Sequence, residues 1–220
     1  MASEDIDQAK KDFLPPPGWK RNPVLLQLKR LDEALTYRLA LAFTEDSLLG
    51  HLQFKLRLFE YSAHTLVCFA VAIFFWYMSI SMASKTLFTN VILAMVVDVF
   101  VVAIVKSACR RRKPGVSRRQ YEDNPSSASL SFPSGFVSRA TVIFLILVSQ
   151  DFFPLIPVTF MVWAGLMLLT KIFLGRFFIF DAIAGFPVGM LVHWFVETVW
   201  LDADDVRALE GFFAGQIGDE

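Results

Sequence analysis

The chain has 220 residues, room for a single domain, and 55% of them are hydrophobic, including 23 Phe. That content, concentrated in long apolar runs, excludes an ordinary soluble domain. The formal net charge is zero, so no global electrostatic argument points to a partner. Two cysteines, Cys68 inside an apolar run and Cys109 beside arginines, do not make a disulfide framework.

Residues 1–23 read as a solvated cytoplasmic tail, because Pro15, Pro16, Pro17 and Gly18 break any helix there. Residues 1–12 are polar and charged, so no cleavable signal peptide is expected. From 24 to 59, Leu28, Leu31, Leu35 and Leu39 recur at helical spacing among Lys29, Arg30, Asp32, Glu33 and Arg38. That pattern is too charged to span a bilayer and predicts an amphipathic helix at the membrane surface. The bland alternative is a surface helix of a soluble cap.

Five runs of roughly twenty apolar residues follow, the length that crosses a ~30 Å hydrocarbon core. They are Ala63–Ala83, Leu87–Val105, Pro133–Ser149, Phe153–Leu174 and Ile179–Leu201, the third being shorter. Asn124–Ser131 is polar, Ser-rich and loop-like, and no internal repeat is visible. The expectation is an all-α polytopic membrane bundle with about five transmembrane helices plus the N-terminal amphipathic helix. Its membrane domain would run 24–201, with an acidic C-terminal tail over 202–220.

Lys106, Arg110, Arg111, Arg112, Lys113, Arg118 and Arg119 crowd the loop after the second run. By the positive-inside rule that side is cytoplasmic. Five spans would bring the end of the second, the start of the third, and the junction of the fourth and fifth to that face.

Polar groups sit at those three places. Lys106 and Lys113 flank the basic stretch, Ser134 and Gly135 precede an apolar helix, and Lys171 and Asp181 bracket the last junction. Each has a bland reading. Lysines at helix ends snorkel, basic juxtamembrane loops meet lipid headgroups, and Asp suits a helix start. Together, cations, the N–H groups of a helix start and a carboxylate at one face suit a phosphate-bearing ligand.

The spacing resembles the type 2 phosphatidic acid phosphatase (PAP2) superfamily, whose pattern is Lys-x6-Arg-Pro, Pro-Ser-Gly-His and Ser-Arg-x5-His-x3-Asp. Lys106 and Pro114 match the first block, with Lys113 in place of Arg. Pro133, Ser134 and Gly135 match the second, with Phe136 in place of His. Thr170 and Lys171 replace Ser-Arg, Phe177 replaces the second His, and Asp181 falls at the required offset. The wording Leu174-Gly175-Arg176-x4-Asp181 looks most like the polyisoprenoid diphosphate phosphatases and their phospholipid-phosphatase-like nuclear-envelope relatives. The resemblance covers about residues 24–201.

The resemblance implies hydrolysis of a lipid phosphate or prenyl diphosphate through a phosphohistidine. The nucleophile would stand at position 177, steadied by Asp181, and the general acid at 136. Lys106, Lys113, Ser134, Gly135 and Lys171 would hold the phosphate. Phe177 has no lone pair to attack phosphorus and Phe136 has no proton to give. Loss of a general acid alone costs about 10²–10⁴-fold. Lysine in place of arginine also lacks the planar fork that grips phosphate bidentately. The chain as written is therefore expected to be inactive. The alternatives are an active or deliberately inactivated isoprenoid or phospholipid phosphatase, and a non-enzymatic scaffold using the basic loop.

No Asp, Glu and His cluster stands at metal-ligand spacing, in keeping with metal-independent chemistry; no cofactor is expected. The expected partners are the bilayer and a lipid phosphate or prenyl diphosphate, with no nucleic acid and self-association left open. The resemblance places the protein in the endoplasmic reticulum or nuclear envelope, its site facing the cytoplasm. His51, His64 and His193 remain as histidines, better read as helix-packing groups than as catalysts. Asp98, mid-span, is a functional suspect or an interhelical hydrogen-bond partner. Cys109 is a candidate for palmitoylation or a plain thiol.

Overall fold

The computed structural model describes residues 23–41, 52–62, 64–109, 111, 130–150 and 155–218. Among them are eight helices: α1 Pro23–Leu41, α2 Leu52–Tyr61, α3 Thr65–Met78, α4 Met82–Cys109, α5 Gly135–Ser149, α6 Leu155–Phe173, α7 Ile179–Thr198 and α8 Ala203–Gly218. His51, Lys113, Pro114 and most of the basic loop lie outside the described residues.

The helix ends follow from local chemistry. His64 caps α3, its Nδ1 accepting from Leu66 N–H at 3.3 Å. Ser134 sits in extended backbone and its Oγ accepts from Val137 N–H at 3.5 Å, starting α5. At the end of α6, Gly175 takes φ 63°. Its N–H donates to Ile172 O and that of Arg176 to Lys171 O, both at 2.9 Å, the paired bonds that close a helix in the Schellman manner. A Cβ in that left-handed backbone costs roughly 1–2 kcal/mol. Gly175→Ala is accordingly expected to lower stability by that amount in thermal unfolding of detergent-solubilised protein.

The expectation of five transmembrane helices is corrected. Among the described residues, three helices are long and apolar enough to cross a membrane: α4, α6 and α7, of 28, 19 and 20 residues. α3 has 14 residues and α5 has 15, so each is about 21–23 Å long at 1.5 Å per residue, short of the ~30 Å core. The apolar runs overstate both helices. Ser79 ends α3, its N–H reaching back to Trp76 O at 3.3 Å, while the run continues to Ala83. Pro133 and Ser134 open the third run but precede α5. The protein is an all-α integral membrane bundle, with three such helices among its described residues.

Its core is the packing of α4, α5 and α7 around Val91, Met95, Val142, Ile146, Val192 and Val196. α7 lies closest to α5 through Gly185 and Gly189. A Cβ on Gly189 would stand 2.5 Å from Ser138 O, and one on Gly185 2.8 Å from Ser134 O. This is the small-residue seam that lets membrane helices approach backbone to backbone. At the far end, the buried Asn90 of α4 donates to Leu201 O at 2.9 Å and accepts from Leu201 N–H at 3.0 Å. α8 returns to α4, where Lys85 meets Glu210 at 2.7 Å.

α1 is helical, and it packs against α6 and α7. Its predicted apolar stripe, Leu28, Leu31, Leu35 and Leu39, is exposed, while Asp32 and Thr36 are fully buried. A bundle surrounded by lipid has no reason to hide leucines, whereas a buried carboxylate must find partners.

Candidate functional site

The three polar stretches converge at one end of the bundle. Lys106 stands in the last turn of α4. Ser134, Gly135 and Phe136 open α5, Lys171 lies in the last turn of α6, and Asp181 lies in the first turn of α7. Ser134 N–H donates to Asp181 O at 3.0 Å, so the second and third stretches touch directly. Lys106 lies within electrostatic reach of Asp181, Asp98 and Arg139. Lys113 is outside the described residues.

Asp181 is fully buried and carries an ion pair that sequence reasoning missed. Arg111 Nη1 meets its Oδ1 at 2.5 Å, and Ser131 Oγ donates to its Oδ2. Arg111 also reaches back to α1, Nη2 to Asp32 Oδ2 at 2.7 Å. Its guanidinium lies 4.1 Å from the centre of the Phe178 ring, a favourable cation–π distance. Ser131 N–H donates to Arg111 O at 2.7 Å, which fixes the arginine backbone beside the start of α5.

α7 begins at Phe178, whose side chain supplies no cap. The caps come from α1. Asp32 Oδ1 accepts from Phe180 N–H at 3.0 Å and Thr36 Oγ1 from Ile179 N–H at 3.4 Å. These are first-turn donors that a capping side chain normally serves within its own helix. The only sequence signal was a single Asp with Thr one turn on, bordering a leucine stripe, which reads equally well as solvated.

Phe136, another of the residues singled out in the sequence, packs against aromatic rings. Its ring meets Trp163 edge to face at 6.0 Å between centres, and Trp163 contacts Phe160 at 5.4 Å. Lys171, nine-tenths buried, places Nζ 5.3 Å from the centre of the Phe136 ring. Phe177 is half-buried in the turn between α6 and α7.

The other polar groups singled out in the sequence have structural partners. Asp98 Oδ1 accepts from Ser138 Oγ, its Oδ2 lies 3.3 Å from Arg139 Nη2, and Arg139 Nη1 donates to Thr65 Oγ1 at 3.0 Å. That buried set ties α3, α4 and α5 together. His193 lies 3.3 Å from Glu197 one turn on, and His64 caps α3. Cys68 and Cys109 are unpaired. Among the described residues no group of three or more His, Cys, Asp or Glu gathers as metal ligands do.

Residues 87–204, just over half of the chain, match the model of the PAP2 superfamily. The chain belongs to that superfamily. Solved structures carry the same fold. The chain resembles a transmembrane PAP2-type phosphatidylglycerolphosphate phosphatase from Bacillus subtilis, with TM-score 0.57 and 18% identity over 79% of this chain and 86% of that one. It also resembles LpxE of Aquifex aeolicus, with TM-score 0.53 and 20% identity over 76% of this chain and 95% of that one. In this PAP2 chain, Arg111 and Asp181 lie inside the matched region, whereas α1 with Asp32 lies before it.

Proposed function

We propose that this protein is a PAP2-fold membrane protein that binds the phosphoryl group of a lipid phosphate or prenyl diphosphate without hydrolysing it. The observation that carries the reading is the meeting of a donor-rich helix start with basic groups where the chemical positions are phenylalanine. Ser134 and Gly135 open α5, Ser134 N–H touches Asp181 O at 3.0 Å, and Lys106 and Lys171 end the neighbouring helices. Lysines and helix-start N–H groups are the donors that oxyanions take. Lys113 is assigned to the same set by its spacing.

Phe177 and Phe136 remove the nucleophile and the acid. Asp181, which would steady a phosphohistidine, is engaged by Arg111 and Ser131. Phe136 and Lys171 pack on each other, so position 136 has an apolar role. The resemblance favours a prenyl diphosphate ligand and the endoplasmic reticulum or nuclear envelope. The basic loop favours a cytoplasmic site.

The test is phosphate release from farnesyl diphosphate and from phosphatidic acid by purified protein, with binding of each measured in parallel. No release is expected. Binding is expected to weaken about tenfold or more in Lys106→Ala and in Lys171→Ala, the scale of one charged hydrogen bond lost. Turnover by the unmodified chain, or binding indifferent to both lysines, would sink the reading.

A further inference from the structure

Three donors converge at the start of α7: the Arg111 guanidinium and the N–H groups of Ile179 and Phe180. A guanidinium beside helix-start N–H groups is a donor set for an oxyanion. The anion held there is part of the chain itself. The Asp32 carboxylate, fully buried, gives one oxygen to Arg111 Nη2 at 2.7 Å and the other to Phe180 N–H at 3.0 Å.

Among the described side chains of α1, only Asp32 and Thr36 are buried, and Leu28, Leu31, Leu35 and Leu39 face outward. The helix is thus held to the site by polar contacts. Arg111 faces two carboxylates at once, so Asp32 shares its cation with Asp181 while it is seated. With Asp32 gone, Asp181 still holds Nη1 at 2.5 Å, and Nη2 and the Phe180 N–H are released together.

We propose that α1 is a latch displaced by anions: Asp32 occupies an oxyanion position made by Arg111 and the start of α7, and a phosphoryl group binding at this end of the bundle competes with it. This inference rests on the phosphate-binding reading above and adds how access to that site is controlled. The ligand chemistry is a phosphoryl oxyanion, from a lipid headgroup or from free phosphate.

The test uses the full chain in phosphatidylcholine nanodiscs. One arm adds inorganic pyrophosphate and the other incorporates phosphatidic acid. Affinity and hydrogen exchange of the α1 amides are followed in the unmodified protein and in Asp32→Asn, which keeps an acceptor for Phe180 N–H. Asp32→Asn is expected to bind about tenfold more tightly, within the usual range of coupling between sites. Exchange over residues 23–41 of the unmodified protein is expected to rise on binding. A response to pyrophosphate assigns free phosphate as a competitor; a response to phosphatidic acid alone assigns the lipid headgroup. Equal affinity in the two proteins, with α1 exchange unchanged, overturns the latch and leaves phosphate binding standing. No binding by either overturns both. Thr36→Val removes only the neutral contact to Ile179 and is expected to raise affinity less than Asp32→Asn does. An equal gain would make α1 a steric cover and overturn competition by charge.

Discussion

Arg111→Leu is expected to destabilise the protein by about 3–5 kcal/mol, the cost of leaving buried charge without its partner. Asp32 and Asp181 are both fully buried, and both point at this one guanidinium, at 2.7 and 2.5 Å. Removing it strands two carboxylates, one on α1 and one on α7, in mutual repulsion. A pairwise surface contact would be worth about 1 kcal/mol or less, so the two cases separate cleanly. The measurement is unfolding in mixed detergent micelles, with Asp32→Asn and Asp181→Asn as second-site changes. The cost of Arg111→Leu should fall by more than half once both carboxylates are neutral, because neutral amides tolerate the loss. A loss near 1 kcal/mol in the unmodified background, or an equal loss in the neutralised one, would show that the cluster does not bear on stability.

The second large effect is expected at the α5–α7 seam. Gly189→Leu should cost at least 3 kcal/mol, the upper end of about 1–3 kcal/mol for overpacking, and should leave little monodisperse protein after extraction. The obstacle is Ser138 O, 2.5 Å from the position of a Cβ, a backbone atom of a neighbouring helix that cannot rotate aside. Gly165 on α6 supplies the control, since a Cβ there meets nothing within 4 Å. Gly165→Leu is expected to be neutral or slightly stabilising, because Gly is disfavoured in a helix interior by about 1 kcal/mol. Equal tolerance at both positions in size-exclusion profiles and thermal melts would refute the close seam.

What the sequence made legible was whatever is written locally. Ser134 and Gly135 before an apolar run announce a helix start, because caps are read from a few neighbouring residues. The long apolar helices α4, α6 and α7 were visible for the same reason. The lengths of α3 and α5 were not. Hydropathy cannot see that Ser79 turns its N–H back to Trp76, so the apolar run is longer than the helix. The Asp32–Arg111 pair was invisible for a different reason. Its members are 79 positions apart, each stands among other charged residues, and nothing local marks Arg111 as the partner of a buried carboxylate. Phe136 was singled out by the resemblance, yet its contact with Lys171 and Trp163 needed the helices in place.

The two ends of the bundle are fastened by different forces. At the far end the buried Asn90 amide grips Leu201 through two neutral hydrogen bonds, with the part-exposed Lys85–Glu210 pair tying α8 to α4 beside it. At the site end the fastening is ionic, and ions can compete with ionic contacts. Raising the concentration of a strongly binding anion should therefore loosen the buried contacts of the site end and leave those of Asn90 in place. The membrane-crossing helices would keep their register while the N-terminal helix comes away from them.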